Sequence, residues 1–347
     1  MNSNKVRAGL LVLLMTAASA TLAGCGAPPE SGGAGGAKPS LCMVTDTNGI
    51  DDGSFNELTY AGLVRAGATK PTVTISRTSD DYVPNVESLV SGDCSLIVGV
   101  GFNLVDAIKS AAKANPKIRF AIVDDGSIDL PNVTTITFDI VPAAFLAGYA
   151  AASHSTTGVV GTYGGTQIPP VTAFMDGFAR GVDYFNKDKD KGADVSVVGW
   201  NVAKKTGTFV GGYAAGVEAK TVAQSLLDQD ADVLMPVGGP IYQSAAEAIR
   251  DRGTSAALIG VDTDGYESDR KYQNLFLTSV LKQVDVAVAQ VAGATGKAAD
   301  AGDYVGTLAN NGVGIAPFHD FADRSRPALG AKLDKIRAGL IDGSIKP

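Results

Sequence analysis

Carboxylates stand where short apolar runs of this sequence give way to loops. Asp46 follows LCMVT, Asp124 and Asp125 follow FAIV, and Asp262 and Asp264 lie at the end of ALIGVDTD. Lys282 comes shortly after LFLTSV, and Phe55 sits among acids in TNGIDDGSFNELTYAGL. Ionised carboxylates only accept hydrogen bonds, so such a set suits a ligand rich in hydroxyl or amine donors and repels phosphate. The same residue types also serve as helix N-caps, and Asp51 and Asp52 read as turn residues on that ground. The recurrence of acids over several run ends is what argues for a site. Gly101, Gly164 with Gly165, Trp200 with Asn201, and Gly238 with Gly239 occupy the other run ends.

Motifs for covalent or metal chemistry are scarce. GVGFNL starts like a dinucleotide fingerprint but carries Leu104 where the last glycine belongs, and GATGKA lacks the upstream glycine of a phosphate loop. The two histidines, His154 and His319, have no metal-ligand spacing, and no nucleophile elbow is present. No metal, no cofactor and no catalytic residue is expected, and the chain reads as a binder rather than an enzyme.

The elements that must hold these residues follow from periodicity. LCMVTD, TVTISR, SLIVGVG, RFAIVDD and NVTTITF read as strands, separated by stretches with apolar residues at helical spacing such as NELTYAGLVRAGA and NLVDAIKSAAKANP. After AAFLAGYAAASHS a second cycle offers GVVGTYGG, VSVVGWN, DVLMPVGG, ALIGVDTD and LFLTSV as strands, again with helices between, and GAKLDKIRAGLIDGSIKP as a closing helix. That alternation predicts an α/β protein of two doubly wound parallel-sheet domains with a ligand cleft between them. Ligands of such sheets sit outside the carboxyl ends of the strands, which is where the acids stand. Lobe boundaries are expected at 40–142 plus 264–296 for the first and 143–263 plus 297–347 for the second.

The chain has 347 residues, 45% hydrophobic and 19% charged, with a net charge of −7. That length exceeds what one core usually serves, about 250–300 residues. The acidic balance and the lack of any basic run argue against nucleic acid as a partner. Residues 1–24 have the layout of an export signal, with Lys5 and Arg7 before an apolar stretch, ending in Leu22-Ala23-Gly24-Cys25. This resembles a bacterial lipobox, which implies cleavage before Cys25 and lipidation of its sulfur. Residues 25–39, GAPPESGGAGGAKP from Gly26 on, form a flexible tether by composition. The expected location is the cell membrane, lipid-anchored on its extracytoplasmic face. Export also makes a disulfide between Cys42, in the first strand, and Cys94, before the third, an expectation if those strands are neighbours; two buried thiols are the alternative.

TNGIDDGSFNELTYAGL is similar to the signature of the basic membrane protein family of substrate-binding lipoproteins. The resemblance continues through FAIVD, PNV, FLAGYAA, GTYGG, WN with KTGTF, ADVLMPVGG, IGVDTD, TSVLKQVD and NGVGIAPFHDF, in order. It implies a type I periplasmic binding protein fold with a hinge, no enzymatic activity, and capture of a nucleoside, of the purine class, for an ABC transporter permease. It also implies that Phe55 and Phe209 wall a base pocket, with Asp46 and Asn56 beside the base and Asp124 on its polar edge. Asp262 would accept from ribose hydroxyls, Lys282 would complete that end, and Gly238 would let backbone approach the sugar. Trp200 is an alternative second wall. Gly53, Glu57 and Gly265 depart from the family's usual residues, which bears on the preferred base. Binders of this family are expected as monomers. The competing readings are a sugar or polyol binder, a ligand sensor of the same fold, and a nucleoside hydrolase.

Overall fold

The computed structural model describes residues 40–188, 192–294, 302–322 and 328–347. The signal peptide, the tether and Cys25 lie outside the described residues. The chain runs through β1 (Leu41–Val44), β2 (Thr72–Thr74), β3 (Leu96–Val100), β4 (Arg119–Val123) and β5 (Val133–Phe138). It continues with β6 (Val159–Gly164), β7 (Ser196–Val198), a small hairpin of β8 (Trp200–Asn201) and β9 (Thr206–Gly207), then β10 (Val233–Val237), β11 (Ala257–Asp262) and β12 (Phe276–Lys282). Two late strands follow, β13 (Tyr304–Gly306) and β14 (Val313–Ile315).

Two sheets result, ordered β13-β5-β4-β3-β1-β2 and β14-β12-β11-β10-β6-β7. Every pairing in them is parallel except that of β12 with β14. Taken by chain order, the main strands of each sheet run second, first, third, fourth, fifth, so each lobe repeats one doubly wound topology. The strands β3, β10 and β11 are buried at every residue. This is why they appear as unbroken apolar runs: helices cover both faces of a parallel sheet. In the first lobe Phe55–Arg65 and Val284–Gly293 pack on one face, and Tyr82–Val90 with Val105–Ala114 on the other. In the second lobe Val141–His154, Pro169–Asp188 and Leu329–Asp342 cover one face, and Val217–Leu227 with Ile241–Arg252 the other.

One placement differs from the sequence reading. The segment 264–296 was expected to return to the first lobe as a block, but β12 pairs with β11 in the second sheet, Ile259 opposite Thr278. The connection from Asp262 to Phe276 is short for a parallel crossover, and consecutive strands usually lie side by side. The chain crosses afterwards, and Val284–Gly293 lies against Phe55–Arg65 of the first lobe. Then β13 joins the first sheet beside β5, and β14 returns to the second.

The lobes are therefore joined by three crossing segments: Asp139–Ile140, Gln283, and Thr307–Gly312. They are hydrogen-bonded to one another near the crossing, Asp139 N–H to the Gly306 carbonyl at 2.8 Å and Gln283 N–H to that of Gly312 at 2.9 Å. The Asn310 side chain ties the last turn, accepting from the N–H groups of Thr307 and Gly312. In the first sheet a disulfide links Cys42 of β1 to Cys94 at the start of β3, with α-carbons 6.0 Å apart, as the exported-protein reading anticipates. No helix among the described residues is long and apolar enough to cross a membrane.

Candidate functional site

The carboxyl ends of both sheets converge on one pocket, which includes the point in each lobe where strand order reverses. From the first lobe come Asp46 after β1, Gly101 to Asn103 after β3, Asp124 after β4, and Phe55. From the second come Gly238 and Gly239 after β10, Asp262 at the end of β11, Lys282 at the end of β12, and Phe174 and Tyr213. The free space there is about 600 Å³ including its open mouth.

Phe55 is the first residue of the helix Phe55–Arg65, and its position is fixed by the acids around it. Asp52 is buried and accepts from the N–H groups of Ser54, Asn56 and Glu57, at 3.0, 2.9 and 3.1 Å. A carboxylate that satisfies the free N–H groups of a helix start also meets the positive end of its dipole. Asn56 lies behind this turn, fully buried and away from the pocket. Its Nδ2 donates to Asp46 Oδ1 at 2.7 Å and to Asp52 Oδ2 at 2.9 Å, while its Oδ1 accepts from Asp46 N–H at 3.1 Å. Asn56 thus holds two acids apart and aims Asp46. Burial is the main reason the Asp46 carboxyl is pushed up to about 6, partly opposed by the hydrogen bonds from Asn48 and Asn56.

The far end of the pocket is a charged bridge between the lobes. Lys282 Nζ lies 2.8 Å from Asp124 Oδ2 and 3.1 Å from its Oδ1, and 3.7 Å from Asp262 Oδ1. Only 4% of the Lys282 side chain is exposed. The rings of Phe55, Phe138 and Phe174 stand around the ammonium at 5.1, 5.4 and 5.2 Å from their centres, favourable cation–π distances. Burial pulls the Lys282 ammonium down, yet Asp124 and Asp262 outweigh it and the net direction is up. Burial raises the Asp262 carboxyl, against the pull of Lys282. A second link crosses the lobes here, Ser54 Oγ donating to Asp262 Oδ2 at 3.1 Å.

Of the residues named from sequence, Asp46, Phe55, Asp124, Gly238, Asp262 and Lys282 border this one pocket. Phe209 does not border it. Its segment runs beside the end of β6, bridged to Gly164, and its ring meets Trp200 edge-on at 6.1 Å. Trp200 is buried behind it, donating to Asp176 Oδ1 at 2.9 Å. The aromatics that border the pocket from the second lobe are Tyr213 and Phe174, the latter in the first turns of the helix Pro169–Asp188 that follows β6. Its position just after a strand end was the available signal. Tyr213, on an irregular loop, had none.

Two duplicated parallel-sheet lobes, three crossings and a pocket at both reversal points define a type I solute-binding protein. Comparison with known proteins agrees. Residues 40–338 match the model of the PnrA-like ABC transporter substrate-binding proteins, and the chain belongs to that family. It is similar to the ABC transporter nucleoside-binding protein BmpA of Lactococcus lactis, 32% identical over 95% of each chain. It is also similar to the CD4+ T-cell-stimulating antigen of Listeria innocua, 31% identical over 99% of this chain and 98% of that one. Among solved structures, an ABC transporter solute-binding protein of Aeropyrum pernix superposes with a TM-score of 0.76 at 23% identity, covering 89% of this chain and 92% of that one.

Proposed function

We propose that this substrate-binding protein captures a nucleoside, of the purine class, and presents it to an ABC transporter permease without transforming it. The observation that carries the reading is the pocket's two-part chemistry. Phe55 and Phe174 border the pocket from opposite lobes, each about 5 Å from the Lys282 ammonium, and the acids Asp46, Asp124 and Asp262 border it with them. A planar base stacked on an aromatic gains about 0.5–1.5 kcal/mol beyond area burial. Hydroxyl donors on a carboxylate form charge-assisted bonds of roughly 1.5–3 kcal/mol each. Among the described residues the only cation bordering the pocket, Lys282, is already engaged by two aspartates, so a phosphate would meet net negative charge. The name of the Lactococcus lactis relative supports the same ligand class.

In this reading Asp46, Phe55, Asp124, Gly238, Asp262 and Lys282 border the ligand, while Asn56 and Phe209 act from behind. The lobes close by bending at the three crossings, the protein works as a monomer, and Cys25 carries the lipid that tethers it outside the cytoplasm.

Thermal unfolding of the soluble body from Ala37 onward tests the ligand class, with adenosine, guanosine, inosine, cytidine, ribose, glucose and AMP. A ligand at 100 times its dissociation constant adds about 2.7 kcal/mol, a shift of several degrees. Stabilisation by purine nucleosides but not by AMP or ribose is the expected result. Stabilisation by glucose alone would transfer the site to a sugar.

A further inference from the structure

Tyr213 carries an inference that rests on the nucleoside reading and narrows it. The residue lies in the irregular segment between β9 and the helix Val217–Leu227, and that segment is fixed at both ends. Before it, the N–H groups of Val210 and Gly211 donate to the carbonyls of Gly164 and Gly165, both at 2.9 Å. After it, Gly216 N–H donates to Ser244 Oγ at 2.9 Å.

The ring lies directly on the point where strand order reverses in the second lobe. A β-carbon at Gly165 would lie 2.2 Å from its Cδ1, and one at Gly238 would lie 2.5 Å from the same atom. The tyrosine ring thus excludes a side chain at both positions, in addition to the φ of 137° at Gly238 and the Gly212 carbonyl 2.9 Å from a β-carbon at Gly165. The phenol is held as well, 2.5 Å from Thr166 Oγ1. Burial is the main reason its hydroxyl is pushed up to about 12, so it stays neutral.

Held in this way, Tyr213 borders two spaces at once. One is the inner pocket with Phe55 and Asp262; the other is an outer groove shared by the lobes, with Thr47, Tyr82 and Asn103 on one side and Thr166 on the other. Asn103 borders both spaces from the first lobe. Among the described residues the groove offers hydroxyl and amide groups and the Asp106 carboxylate but no cation, which suits a neutral hydroxylated substituent and not a phosphate.

We propose that Tyr213 is a specificity-determining residue that ends the inner pocket and limits ligand length, excluding nucleosides that carry a neutral extension towards the outer groove. Removing the ring joins the two spaces and lets such an extension occupy the groove.

Calorimetric titration of the soluble body tests this with adenosine and two extended probes. One probe bears a hydroxyethyl group on the base N6, the other a hydroxyethylthio group at the ribose 5′ carbon. The proteins compared are wild type, Tyr213→Ala, Tyr213→Phe and Thr166→Val. Wild type is expected to bind adenosine at least 10-fold more tightly than one of the two probes. Tyr213→Ala should abolish that preference, Tyr213→Phe should keep it, and Thr166→Val should reduce it. If Tyr213→Ala does not fold, Tyr213→Val keeps an apolar group over the two glycines and takes its place. A parallel loss of affinity for all three ligands in Tyr213→Ala would show a structural role only and overturn the proposal. Equal binding of all three ligands by wild type would also overturn it. Failure of wild type to bind adenosine would overturn the nucleoside reading, and this inference with it.

Discussion

Asp124 and Asp262 hold equivalent places in the two lobes. Each stands at the carboxyl end of the fourth strand of its sheet, each has a left-handed backbone with φ of 66°, and Lys282 lies against both. A non-glycine residue in that conformation costs on the order of 1 kcal/mol or more and persists only where its surroundings dictate it. Duplication of the fold placed two like charges at one point, and the lysine at the end of the fifth strand of the second lobe makes their approach tolerable.

Replacing Lys282 with glutamine removes that neutralisation. Two buried carboxylates would then face each other across the lobes, at a cost of about 2–5 kcal/mol on the closed form. Ligand affinity should fall by 30-fold or more by calorimetry, and small-angle scattering should show a larger radius of gyration in the variant. An unchanged radius together with unchanged affinity would refute the bridging role.

The aromatic walls can be ranked by substitution. Phe55→Ala and Phe174→Ala should each weaken binding by about 10-fold or more, since each removes a ring that borders the pocket. Phe209→Ala should weaken it by only a few-fold and act mainly on thermal stability. The reverse order would restore Phe209 as the second wall.

Much of this arrangement was legible in the sequence. The strands buried on both faces announced themselves as apolar runs, and the acids at their ends marked the cleft. Asn56 shows where reading by proximity stops: adjacent helical residues point about 100° apart, and here Phe55 borders the pocket while Asn56 is buried behind it. Short strands such as Tyr304–Gly306 have too few residues to display a period. Tyr213 lies on a loop whose path is set by hydrogen bonds to Gly164 and Gly165, which no local pattern encodes.

Asp46 gives the protein a titration near pH 6. Its carboxyl is raised in the folded state from 3.8 to about 6, so the folded chain holds this proton more tightly than the unfolded one. The associated stability is full below about pH 4 and is lost as pH rises through 6, on the order of 1–3 kcal/mol. Asp46→Asn should accordingly raise the melting temperature at pH 7.5 and leave it nearly unchanged at pH 4. Ligand donors on Asp46 need the ionised form, so wild-type affinity should decline as pH falls below 6. A pH-independent difference between the two proteins would remove Asp46 from this role.

The disulfide closes a loop between positions 52 residues apart. Loop-closure entropy assigns it about 4 kcal/mol. Cys42→Ala with Cys94→Ala should lower the melting temperature by several degrees, while ligand affinity, set at the opposite end of the strands, should change less than 3-fold.

The three crossings have a consequence for biosynthesis. Because β13 completes the first sheet and β14 the second, neither lobe is a continuous stretch of chain. Neither can be finished while the polypeptide is still emerging, and the first sheet must wait for a strand synthesised more than 150 residues after its partner, Tyr304 opposite Ile136. Such distant pairings are slow to form. The chain therefore has a long interval in which it remains incompletely folded, and under the proposed extracytoplasmic role that interval suits export before folding.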